Sequence, residues 1–172
     1  MTAESRTITP RALTPEAFAP YGDVMMVETT AKHFEINEGH TTRFHDLARL
    51  DLERDGGHPL LSIFRSQPKA LPLILEVMER HPLGSQAFYP LSPRPYLVVV
   101  APPGDFDPAA VVAFLVRPDQ GVNYHAGTWH HYSLALDETS DFLVIDRGGP
   151  GDNLAEVRLS PPIRIDLEGG AS

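Results

Sequence analysis

Apolar positions along this chain come in short bursts. Residues 23–27, 42–47, 60–65, 85–91, 96–101, 111–116, 141–146 and 157–167 are apolar-rich runs bounded by turn-forming residues, the pattern of β-strands. Residues 71–81 fit two periods. Helical spacing joins Ile74 and Met78, whereas strand alternation puts Leu73, Leu75, Val77, Glu79 and His81 on one face. Pro72 and Pro82 bracket a run that is short for a helix, which favours the strand. That reading sends Glu79 and His81 inward with the apolar residues. One short helix is predicted near the start, capped by Thr14, with Pro15 in its first turn and an end at Tyr21-Gly22-Asp23. Many short strands with close turn signals predict a mainly β sandwich or barrel.

Composition narrows this. A length of 172 residues predicts one domain, 1–172, with 168–172 (EGGAS) as a frayed tail. The 17 prolines suit short elements joined by fixed turns. There is no cysteine, which excludes disulfides, zinc–thiolate sites, iron–sulfur clusters and a thiol nucleophile. That is compatible with a reducing cytoplasm. The N-terminal residues lack the basic start and apolar core of a signal peptide. The longest apolar run is far short of the ~20 residues a membrane helix needs. A cytoplasmic protein with no membrane partner is expected. The net charge of -9, from 14 basic and 23 acidic side chains, argues against nucleic acid. An anionic substrate would need local positive groups, and with Lys32 and Lys69 the only lysines, arginine must supply most of them.

Three groups of residues could carry chemistry. The segment GVNYHAGTWHH (121–131) holds Asn123, His125, His130 and His131 around a glycine turn, and histidine titrates near neutrality and binds metals. The segment ERHPLGSQ (79–86) offers Glu79, His81 and the non-titrating amide Gln86. Arg43, Arg65 and Arg147 lie in or beside strands. Arg65, at the end of an apolar run, is the first candidate for a substrate carboxylate, and Asp146 is the expected structural partner of Arg147. Phosphate loops, dinucleotide fingerprints and nucleophile elbows do not occur.

The phrases RFHDLA (43–48), ERHPLGSQAFYPL (79–91), GVNYHAGTWHH (121–131) and DFLVIDRGG (141–149), with AFAPYGDV (17–24) and HFEIN (33–37), resemble the ureidoglycolate lyase family in the same order. The resemblance covers about residues 10–150. It implies a cupin-like β-barrel or jelly-roll with one or two short helices, usually a homodimer, splitting ureidoglycolate into glyoxylate and urea in allantoin and purine breakdown. It also implies a response to a divalent metal, nickel above all. Compared with metal cupins, Glu79-x-His81 replaces the paired histidines, Gln86 stands where a glutamate is expected, and His130 matches the later histidine. His81 and His130 are therefore the candidate metal ligands, and with Glu79 and Gln86 they could equally form a metal-free hydrogen-bonding site. His81, His130, Glu79 and Gln86 form the candidate catalytic set, and Arg65, Arg43, Arg147, Asn123 and His125 the substrate-binding set. His125 ranks after His130, while Trp129 and His131 are expected to pack. Two alternatives remain open. One is another cupin-like enzyme acting on a small carboxylate or carbinolamide. The other is a non-catalytic ureide-binding barrel.

Overall fold

The computed structural model describes residues 6–27 and 32–167. The expected tail at 168–172 lies outside the described residues. The fold is mainly β and cupin-like, two sheets facing each other across an aromatic core. The smaller sheet runs in the order Gly22–Met25, Gly121–Tyr124, Gln86–Pro90, Ser140–Gly148 and His58–Ser66, every pair antiparallel. The larger runs Thr7–Ile8, Ala155–Ile165, Leu73–Arg80, Trp129–His130, Tyr96–Ala101, Val112–Val116 and Arg11–Ala12, with Leu134–Ala135 also on Tyr96–Ala101.

The predicted helix forms at Pro15–Phe18, with the Thr14 hydroxyl accepting from the Ala17 amide. Residues 71–81 form a strand, Leu73–Arg80, as the bracketing prolines required. The run Tyr96–Ala101 is buried on both faces. Its even residues Tyr96, Val98 and Val100 enter the core between the sheets with Phe88, Val122, Tyr124, Phe142 and Val144. Its odd residues Leu97, Val99 and Ala101 join Leu75, Met78 and Trp129 on the other side of the larger sheet. One strand thus builds two cores, which is why its sequence shows no alternation.

The run at 42–47 ends differently from its expectation. It shortens to Thr41–Phe44 and pairs only with His33–Ile36, a strand that the apolar pattern does not mark. This hairpin joins neither sheet. Among the described residues, no helix is long and apolar enough to cross a membrane.

Candidate active site

The histidine-rich segment folds as strand, turn, strand. Val122 and Tyr124 alternate into the inner core. Gly127 takes a φ of +82° at the turn, and the chain returns as Trp129–His130. Paired residues of a ladder share a face. His130 pairs with Val100 on one side and Glu79 on the other, so both His130 and Glu79 face the inner core.

Glu79 arrives there by a route that simple alternation did not predict. It was expected to share a face with Leu73 and Leu75, but those residues share their cluster with Met78. The alternation slips by one between Leu75 and Met78. The neighbouring strand supplies the cause, since Ala155–Ile165 breaks register between Arg158 and Ile163 opposite this point. The slip turns Glu79 away from the outer apolar cluster and onto His130.

His130 Nε2 lies 3.5 Å from Glu79 Oε1, and the rings of His130 and His81 are 5.1 Å apart. Below them, the Tyr124 ring stacks on His130 at 4.3 Å and 9°. His130 is 1% exposed. His81 Nδ1 donates to the Asn153 carbonyl at 2.8 Å, and His130 Nδ1 donates to the Thr128 carbonyl at 3.1 Å. A carbonyl only accepts, so each Nδ1 carries the proton and each Nε2 presents a lone pair. Both Nε2 atoms are buried without a hydrogen-bond partner.

The ligand atoms of Glu79, His81 and His130 all lie within 4.8 Å of one another. Two imidazole lone pairs and a carboxylate at this spacing repel unless a proton or cation sits among them. Orphaned buried nitrogens, tautomers fixed by backbone acceptors and a mixed His₂-carboxylate set fit a divalent transition metal. Burial pushes His130 below the ordinary histidine value. The adjacent imidazoles, His130 first, hold Glu79 below the usual carboxylate range, against the opposing effect of burial. The groups whose charges act on Glu79 are His130, His81 and His131, with no arginine or lysine among them.

Gln86 is buried and pairs across the ladder with Tyr124, which puts it on the same inner face. Its Nε2 donates to Asp146 Oδ2 at 3.1 Å. Asp146 shares parity with Val144 and Phe142 and points inward, so it is not the partner of Arg147. Arg147 is buried on the opposite face and donates to the carbonyls of Arg54, Asp55 and Pro150. The other substrate-binding candidates also lie apart from the histidines. Arg65 is 70% exposed in its side chain, not buried, and forks onto Asp141. Asn123 is buried on the outer face, donating to Asp23 and the Arg49 carbonyl. His125 Nε2 meets the same Asp23 at 3.0 Å. Arg43 lies in the free hairpin, over the Phe34 ring at 5.9 Å. Of the packing pair, Trp129 joins the outer core, and His131 is buried with Nδ1 donating to the Val77 carbonyl.

Tyr124 and Asp146 are inner-face residues absent from the candidate set. Period-2 alternation from Val122 and from Val144 would have found both.

The pattern of the family described as Ureidoglycolate lyase matches residues 5–166. The chain belongs to the ureidoglycolate lyase family. A ureidoglycolate lyase of Burkholderia cepacia is 55% identical over 157 residues, covering 91% of this chain and 88% of that protein. One of Brucella melitensis is 53% identical over 154 residues, covering 90% of each chain. One of a Chelativorans species is 47% identical over 162 residues, covering 94% of this chain and 98% of the relative. Identity of this order over nearly full lengths carries the fold.

Proposed function

We propose that the protein is a ureidoglycolate lyase, releasing glyoxylate and urea. The observation that carries the reading is the inward-facing Glu79–His81–His130 cluster with two free imidazole lone pairs. Ureidoglycolate is a urea nitrogen added to an aldehyde, so its cleavage is a retro-addition. One Nε2, of His130 or His81, takes the carbinol O–H proton. The oxygen electron pair forms the new C=O bond, the C–N bond breaks, and its electrons stay on the urea nitrogen. That nitrogen takes the same proton back from the imidazolium Nε2, which returns the imidazole to its neutral form. Glu79 holds the imidazolium that forms, and Gln86, on the same face, hydrogen-bonds the urea amide. Where Glu79, His81 and His130 instead hold a nickel-like ion through those lone pairs, the ion would supply Lewis-acid polarisation of a substrate oxygen.

A homodimer is part of the same proposal. Leu61 and Ile63 are 72% and 63% exposed on the outer face of the smaller sheet, in register with Ile145, Leu143 and Tyr89. An apolar sheet face of this kind needs a cover, and a second copy supplies one. A cytoplasmic site of action accords with the cysteine-free chain.

The test is glyoxylate and urea release from racemic ureidoglycolate by the wild type, His130→Asn and His81→Asn. We expect stoichiometric products from the wild type and losses of about 10²-fold or more in each variant. No glyoxylate from the wild type, or wild-type turnover in both variants, overturns the reading.

A further inference from the structure

Among the described residues, no arginine or lysine is left for an anionic substrate on the inner face, and that face is open along one side. Leu60 pairs with Asp146 and Phe64 with Phe142, which makes both inward-facing, yet they are 42% and 37% exposed. The barrel therefore has a mouth along His58–Ser66, the last strand of the smaller sheet. Arg65 and Arg147 are committed to Asp141 and to backbone carbonyls, and Arg80 donates to the Gly104 carbonyl beneath Trp129.

The hairpin His33–Ile36 with Thr41–Phe44 is the complementary piece. It pairs with no other strand, and a lone two-stranded hairpin is marginal in water. It presents Phe34 at 40% exposure and, against that ring, Arg43, which meets no carboxylate among the described residues. Its base is tied to the opposite edge of the smaller sheet, where the Arg49 amide donates to Asp23 of Gly22–Met25. Arm and mouth are thus the two edges of one five-stranded sheet. Four inter-strand steps span about 19 Å, and a four-residue strand reaches only about 13 Å. The arm cannot cover its own mouth. If two copies stack their apolar outer faces about a two-fold axis running along the strands, strand order reverses. The arm edge of each copy then lies over the mouth edge of the other.

Resting on the lyase reading above, we infer that the hairpin of one copy closes the barrel mouth of a second, and that Arg43 of the arm binds the substrate carboxylate there. Each active site is then built from two chains.

Subunit complementation tests this. Arg43→Ala and His130→Asn are each expected to be inactive and folded by circular dichroism. Unfolded, refolded or co-expressed together, they should regain about one quarter of wild-type activity. Half the dimers would be mixed, and each mixed dimer would hold one intact site. No recovery on mixing, or full activity of Arg43→Ala alone, overturns the inference. A second readout does not depend on turnover. The natural chain has no cysteine, so copies carrying only Arg43→Cys and copies carrying only Leu60→Cys can be joined by a short bis-maleimide. Cross-linked heterodimers are expected, and their absence counts against the arm. Cross-linking of the Arg43→Cys and Leu60→Cys pair, beside a wild type that releases no glyoxylate, would sink the lyase reading and leave the arm standing.

Discussion

The imidazole of His130 lies flat on the phenol ring of Tyr124, 4.3 Å between centroids and 9° from parallel. The stack fixes the plane in which the His130 Nε2 lone pair points at Glu79. Tyr124→Phe keeps the ring and should keep turnover near wild type. Tyr124→Leu frees the imidazole and should lower kcat by about 10–100-fold, the usual cost of losing a group that orients a site residue. Steady-state kinetics on the two variants separate the ring from its hydroxyl.

His131 gives a pH signature. Burial, aided by Lys69 and His130 and opposed by the Val77 carbonyl and Glu79, holds its pKa down at about 4. The folded protein therefore holds it neutral while the unfolded chain protonates near the ordinary value of 6.5. Below pH 6.5 the unfolded state binds the extra proton, so stability falls as pH drops to about 4 and then levels. The loss amounts to about 3 kcal/mol. Denaturant unfolding with chelator present should show this slope, and His131→Gln should flatten it.

Nickel should stabilise the fold through Glu79, His81 and His130. At a hundredfold excess over Kd the gain is about 2.7 kcal/mol, roughly 5–10 °C in Tm for a chain of this size. His81→Asn and Glu79→Gln should each lose most of that rise, and a chelator should reverse it in the wild type. Differential scanning fluorimetry reads all three.

Arg147→Ala should act on stability. The side chain ties the carbonyls of Arg54, Asp55 and Pro150 together, and its removal orphans them beneath a loop. A loss on the order of 2–4 kcal/mol is expected, with KM for ureidoglycolate nearly unchanged. A selective rise in KM with full stability would instead place Arg147 on the substrate.

Ile63→Glu should split the proposed dimer. It puts a charge at the centre of the exposed apolar face, and sedimentation should shift from dimer to monomer. If each site borrows an arm, activity should fall with the same concentration dependence.

The sequence made some of this architecture readable and hid the rest, for identifiable reasons. Tyr96–Ala101 was plain because a strand buried on both faces must be apolar throughout. Glu79, His81 and His130 stood out by residue type. The strands Gly121–Tyr124 and Trp129–His130 did not, because glycine, asparagine and histidine mask their alternation. The slip between Leu75 and Met78 was invisible because its cause lies in Ala155–Ile165, far along the chain. Arg65 suggested burial because the strand before it is apolar. That strand is the open edge of the sheet: Leu61 and Ile63, on the same side as Arg65, face outward toward the proposed second copy, while Leu60 and Phe64 line the mouth.

Main-chain carbonyls of Thr128 and Asn153, rather than side chains, hold the two imidazoles by Nδ1. Every residue type carries a carbonyl, so no point substitution at 128 or 153 deletes that acceptor. The proton inventory of the cluster belongs to the path of the backbone. It can drift in sequence around those turns without changing which nitrogen is free, and it changes only when the turns themselves move.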